Sequence, residues 1–156
     1  MATLKNPPTK YNDLYRCVIS ASDQGPITGG SFEQVVFDAL DVDSVGAVPA
    51  PLNVATGEFT IPKTGLWMIN VQIYCFTMNP SAVYTLTIDV NGVTAARSVA
   101  TVDGTAHIFG AQLLKSLTAV SDKVTIKLKA AGSYNLTMID GNSVYSWMDL
   151  VYHPQS

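Results

Sequence analysis

An all-β sandwich is the fold class this sequence predicts, and three observations carry the prediction. Short runs rich in β-branched and aromatic residues recur along the chain, separated by turn formers such as Gly29-Gly30, Asn91-Gly92 and Asp103-Gly104. No segment combines a 3.6-residue apolar period with capping residues, so helices are not expected. Residues 66–76, LWMINVQIYCF, carry no charge at all. Side chains alternate faces along a strand, so Trp67, Ile69, Val71, Ile73 and Cys75 form one wholly apolar face. Leu66, Met68, Asn70, Gln72, Tyr74 and Phe76 form a mixed one. A surface strand normally shows a charged outer face. Both faces of this strand are therefore expected to be covered, one by the core and the other by a second copy of the protein.

Taken in order, residues 1–13 are polar and broken by Pro7-Pro8, which fixes φ and removes donors. They read as an extended arm with a reach of roughly 45 Å. Leu4, Pro7, Pro8 and Tyr11 are its anchoring candidates, and residues 14–156 form the domain. A first strand is predicted over Leu14–Ser20, followed by a turn-rich loop and a short strand at Val35-Val36-Phe37. Residues 38–51 alternate small apolar and acidic side chains and read as an irregular crossing loop. Thr56-Gly57 turns into a short strand, Glu58–Ile61, and Pro62-Lys63-Thr64-Gly65 turns into the uncharged strand. Strands are then predicted at 83–90, 93–102, 106–114, 123–130, 134–139 and 144–152. Of these, Lys123–Ala130 has the clearest solvated face, with Val124, Ile126 and Leu128 inward and Lys123, Thr125, Lys127 and Lys129 outward.

At 156 residues the chain is one domain, large enough to bury roughly 70 % of its unfolded surface. Charged residues make up only 13 %, against about a quarter in ordinary globular proteins. Hydrophobic residues reach 47 %, yet no apolar run approaches the ~20 residues of a membrane span. High apolar content without a span favours surface hidden by self-association. The net charge of −3 and scattered Lys and Arg leave no basic stripe for phosphates, so nucleic acid is not an expected partner. The N-terminal residues lack the apolar core of an export signal, so synthesis in a reducing cytoplasm is expected. Cys17 and Cys75 fall at apolar positions of strands, where a thiol acts as a small hydrophobe. A disulfide would require those strands to be neighbours.

No constellation for catalysis emerges. His107 and His153 stand outside any spaced motif. Asp38, Asp41 and Asp43 cluster loosely, without the ligand order of a calcium loop, and read as a solvated loop. The cysteines have no CxxC or histidine spacing. Asn135-Leu136-Thr137 matches a glycosylation sequon that has no meaning without export. Neither an enzyme, nor a cofactor, nor a metal site is expected.

The spacing of particular residues resembles the globular head of the C1q and tumour-necrosis-factor superfamily. Phe37 stands before an irregular loop, Thr56-Gly57-Glu58-Phe59 supplies a Thr-Gly-x-Phe turn, and Gly65 follows Phe59 at the family spacing. Trp67 and Ile69 take the alternating core positions. Residues 113–129 are similar to the penultimate hairpin, with Ser121-Asp122 in place of Gly-Asp. Residues 144–148 resemble the last strand, with Trp147 where Gly is usual. The resemblance spans about residues 15–152 and implies a jelly roll of about ten antiparallel strands that assembles as a homotrimer.

It also implies a division of labour along the central strand. Phe37, Phe59, Trp67, Ile69, Val71 and Ile73 are expected in the core, with Leu66, Met68, Asn70, Gln72 and Tyr74 at the trimer interface. Similar heads occur in bacteriophage proteins. The leading expectation is thus a capsid-decorating cement protein at the virion surface, bound to a major capsid protein through its arm. The alternatives are a fibre tip that binds a host-surface glycan or receptor through Asn79-Pro80-Ser81, Asp103-Gly104 and Tyr134-Asn135, or a soluble ligand of the C1q or tumour-necrosis type.

Overall fold

The computed structural model describes residues 13–20, 22–27, 29–46, 50–132 and 137–154. The arm candidates Leu4, Pro7, Pro8 and Tyr11, together with Tyr134, Asn135 and Leu136, lie outside the described residues. Strands run in the order β1 (Asp13–Val18), β2 (Gln24–Ile27), β3 (Glu33–Gln34), β4 (Ala39–Asp43), β5 (Leu52–Asn53), β6 (Glu58–Thr60) and β7 (Gly65–Phe76). They continue with β8 (Val83–Val90), β9 (Val93–Thr101), β10 (Ala106–Leu117), β11 (Lys123–Ala130), β12 (Thr137–Ile139) and β13 (Trp147–His153).

Two antiparallel sheets face each other. In the first, β7 is flanked along its whole length by β10. On its other edge β7 meets β13 over residues 66–72 and then β12 at Cys75 and Phe76. Beyond β13 come β1 and β4, and beyond β12 comes β2. The second sheet runs β5-β6-β11-β8-β9, with β3 beside the far half of β11. Asp13 pairs with Tyr152, which pairs in turn with Trp67, so these residues share one pole with the start of β7. The opposite pole carries the 77–82 and 102–105 turns, joined by Met78 N–H to Thr105 O (3.0 Å) and Ser81 N–H to Val102 O (2.6 Å).

The core is the space between the sheets. Trp67, Ile69, Val71, Ile73 and Cys75 face Tyr84, Leu86 and Ile88 of β8 and Val124, Ile126 and Leu128 of β11, all buried. Phe37 and Phe59 are buried as well. Around Trp67 the rings of Tyr15, Phe59 and Tyr152 pack with centroids 6.1, 6.5 and 5.3 Å away, Phe59 in the edge-on geometry that aromatic quadrupoles favour and the other two tilted. The Trp67 indole donates a 3.1 Å hydrogen bond to the Lys63 carbonyl, so its one polar atom is satisfied.

Four sequence expectations need correction. Val35-Val36-Phe37 is not a strand; the paired residues are Glu33 and Gln34. The reason is a side chain acting as a strand: the Gln24 amide accepts from Val36 N–H at 2.9 Å and donates to the Val36 carbonyl. Residues 38–51 are not wholly irregular. Ala39–Asp43 pairs with β1, with a register shift at Asp41 that the acidic alternation concealed.

The last strand begins at Trp147 rather than at Val144. Asp140 and Asn142 turn the backbone first, accepting from Asn142 N–H (2.7 Å) and Val144 N–H (3.0 Å). Finally, the outer face of β11 is less solvated than its lysines suggest. Thr87, Asp89 and Thr125 are buried there, and Lys127 lies across them with its Nζ 2.8 Å from Asp89 Oδ2.

Candidate functional site, the outward face of the β10–β7–β13–β1 sheet

Strand alternation places the even residues of β7 on the side away from the core, and register extends each into a rung. Leu66, Met68, Asn70, Gln72 and Tyr74 are all half-buried on this face. One rung runs Leu114, Met68, Val151, Leu14. The next runs Gln112, Asn70, Asp149, Arg16 and the next Gly110, Gln72, Trp147. Ile108 then lies beside Tyr74. The face is therefore mostly apolar with one polar belt across its middle.

The belt is internally ordered. Gln112 Nε2 donates to Asn70 Oδ1 at 2.6 Å. Arg16 grips Asp149 with both prongs of its guanidinium, Nε to Oδ1 at 2.7 Å and Nη2 to Oδ2 at 2.6 Å. This fork-to-fork bond to Asp149 raises the Arg16 pKa further. The guanidinium carbon also lies 5.1 Å from the centre of the Trp147 ring, a cation–π contact. At the far end Tyr145 packs on Tyr74 with ring centroids 5.5 Å apart, fixed by a 3.1 Å bond from Gln72 Nε2 to the Tyr145 carbonyl.

Exposed apolar side chains border the face. Ile108 is 50 % and Leu114 62 % exposed on β10, while Val99 of β9, 54 % exposed, pairs with Thr85 and lies on the outer face of the second sheet. Among the described residues, β9 and β10 are the last strands of their sheets on this side. Long uncovered edges with apolar side chains invite pairing or packing against another chain.

The sequence reading singled out β7 but missed Ile108, Gln112 and Leu114 of β10, and Arg16, Trp147 and Asp149. The β10 residues carry only a weak signal, since Gly110 and Gln112 interrupt the apolar parity of Ile108 and Leu114. The ion pair has none, because only the fold puts Arg16 beside Asp149. The expectation of an uncharged surface thus holds for β7, while the face as a whole contains the neutralised Arg16–Asp149 pair.

The remaining candidates separate in space. Asp38 Oδ1 accepts from the Ser20 backbone (2.7 Å) and hydroxyl (2.9 Å), while Asp43 Oδ1 accepts from Val45 N–H and Gly46 N–H. Among the described residues no three His, Cys, Asp or Glu side chains gather as metal ligands would. His107 stacks edge-on against Phe109 at 4.7 Å. Cys17 and Cys75 are both free and buried, on strands that β13 separates. Burial pushes the Cys75 thiol up to about 12 and Cys17 higher still, which makes both inert as nucleophiles.

Thr137, the described end of the sequon, is buried with its hydroxyl 2.9 Å from the Tyr84 hydroxyl. An open groove of about 530 Å³ lies between β2 and β3, but its carboxylates are engaged elsewhere. Asp38 holds Ser20, and Asp23 accepts from Gly141 N–H at 2.9 Å.

No family model matches the sequence, and no curated protein matches it. The fold has clear counterparts among solved structures. Murine APRIL at pH 5.0 superposes with a TM-score of 0.67 at 10 % identity, covering 91 % of this chain and 99 % of that one. Murine APRIL at pH 8.5 gives 0.64 at 12 % identity over the same shares. Eiger TNF from S. frugiperda gives 0.55 at 11 % identity, covering 94 % of this chain and 96 % of that one. The fold is a TNF-like jelly roll. In it, β7, β10, β13 and β1 make up the outward-facing sheet just described.

Proposed function

We propose that this chain is a non-enzymatic structural protein whose work is association, as a homotrimeric jelly-roll head. The observation that carries the reading is the outward face of β7, apolar or neutral at every position, continued on β10 by the exposed Ile108 and Leu114. The outer edges of β9 and β10, the last strands of their sheets among the described residues, are a different surface from this face. A contact of the edge of one copy with the face of the next is heterologous, and such contacts can close into a ring. A permanent interface of this kind buries over about 2,000 Å² in total.

The finer reading is a decoration protein on the surface of a bacteriophage-like particle, held to the major capsid protein by the arm, of whose expected residues 1–13 the last, Asp13, opens β1 and leaves 1–12. What supports it is the polarity of the head. The polar, proline-broken arm joins the domain at the pole where Asp13 forms its ion pair with Lys63. In a ring with its axis along β7 all three arms join at that same pole, a trivalent anchor. Deleting residues 1–12 tests this: the shortened head should stay trimeric and lose binding to particles in a sedimentation assay.

A second reading is favoured by the likeness to APRIL and Eiger TNF, namely a soluble TNF-type ligand or receptor-binding tip. The recognition surface would then be the opposite pole, at Asn79-Pro80-Ser81 and Asp103-Gly104. Retention of target binding by the shortened head, with loss on substituting those turns, would favour it over decoration.

A further inference from the structure

Resting on the homotrimer reading, we propose that Asn70 and Gln112 set the register and copy number of the assembly by closing a ring of amide hydrogen bonds between copies. Within one chain Gln112 Nε2 donates to Asn70 Oδ1 at 2.6 Å. Gln112 Nε2 also points at the Met68 sulfur, 3.8 Å away, a weak contact. Among the described residues that leaves the Asn70 amide nitrogen and the Gln112 amide oxygen without a partner. The neighbouring Asp149 carboxylate accepts from Arg16 at both oxygens, and no hydrogen bond joins it to Asn70 in this structure.

The unused groups are one donor and one acceptor on adjacent strands, at facing register positions. A second copy of the same surface supplies the complement to each. Asn70 Nδ2 of one copy donates to Gln112 Oε1 of the next, and repetition around the axis joins six amides in a closed cycle. Water serves both groups while the face is open. Once the face is covered, the apolar rung of Leu114 and Met68 lies on one side and Gly110 and Gln72 on the other, with the Gln72 amide turned to the Tyr145 carbonyl, so the amide of a neighbouring copy is the replacement.

The physical consequence is specificity rather than affinity. A buried amide is costly unless fully bonded, so it penalises every register and copy number that leaves it short. Purely apolar faces slide and tolerate several oligomer numbers, whereas a single buried polar layer selects one. The remainder of the face supplies the burial that the belt itself does not.

The test uses the full chain and three variants, with native mass spectrometry across a dilution series. Both side chains point out of the fold, so circular dichroism should match for all proteins. Gln112→Leu leaves Asn70 unpaired in a covered face, and the concentration at which the trimer dissociates should rise ten-fold or more. Asn70→Leu/Gln112→Leu removes both amides and should regain much of that loss while giving a mixture of oligomer masses. Asn70→Gln/Gln112→Asn, which exchanges the two amides, should recover a single trimeric mass. A pure packing role predicts the reverse order, with the double leucine variant weaker than the single. That order, or a lone trimeric species from the double leucine variant, would overturn the ring. A wild-type chain that is monomeric throughout would instead remove the trimer reading itself.

Discussion

A Cβ built on Gly65 would lie 2.5 Å from Cε2 of Tyr152, closer than side chains tolerate. Gly65 also has φ of 144°, in the region that L side chains rarely adopt. Two constraints therefore coincide at the first residue of β7: the backbone must turn sharply, and the Tyr152 ring must pass directly over it to reach Trp67. Lys63 completes the arrangement, its Nζ 4.5 Å from the centre of the Tyr152 ring while it ion-pairs with Asp13. Gly65→Ala should destabilise the fold by about 3 kcal/mol, from overpacking plus backbone strain. Urea denaturation followed by tryptophan fluorescence measures it, and a loss below about 1 kcal/mol would mean that the corner yields more easily than its contacts imply.

Tyr15 leads to a prediction in the opposite direction. Its ring is fully buried against Phe59 and Trp67, yet among the described residues its hydroxyl has no hydrogen-bond partner. Burial, reinforced by the nearby Asp43 and Asp13 charges, pushes its pKa up to about 12. A buried hydroxyl without a partner carries a desolvation cost that phenylalanine avoids at nearly the same shape. Tyr15→Phe should leave stability unchanged or raise it by about 1 kcal/mol in the same denaturation experiment.

Asp89 contributes to the response to acid. Burial alone would raise its pKa, but bonds from Lys127 and from the Thr94 hydroxyl (2.9 Å) outweigh that and hold it below the ordinary carboxylate value of 3.8. A carboxylate with a depressed folded-state pKa contributes stability that is present above the unfolded value and lost as pH falls through the folded one. The melting temperature should therefore drop as pH is lowered from about 5 to below about 3. Asp89→Asn should be less stable at neutral pH by about 2 kcal/mol and show a shallower acid drop, because Lys127 loses its partner in both conditions.

How much of this was legible in the sequence differs from residue to residue. Period-two alternation sufficed for β7, β8 and β11, because each buries one complete face and the pattern follows directly from burial. The spacing of Phe59, Gly65 and Trp67 was legible through the family resemblance, and the structure supplies its reason: the corner admits no side chain at Gly65. What could not be read were pairings made by side chains. Gln24 in the role of a strand beside Val36, and Arg16 bound to Asp149, join residues with no local pattern between them. The short strand β4 was hidden because its shifted register at Asp41 breaks the alternation that would reveal it. On the candidate face, β7 was found because an absence of charge is a local signal. The β10 side of the same face was overlooked because Gly110 and Gln112 interrupt its apolar parity.

Coverage of the outward face of β7 by other copies of the chain is the point on which the functional reading depends. Tyr74 probes it at a position that points away from the core and, among the described residues, has its ring packed on that of Tyr145. Tyr74→Asp places a charge in the covered face and leaves the sandwich beneath it intact. Size-exclusion chromatography with multi-angle light scattering should give the wild-type protein the mass of three 16.7 kDa chains, and the variant the mass of one. A Tyr74→Asp protein that remains trimeric, or a wild-type protein that elutes as a monomer, would show that this face is not the interface.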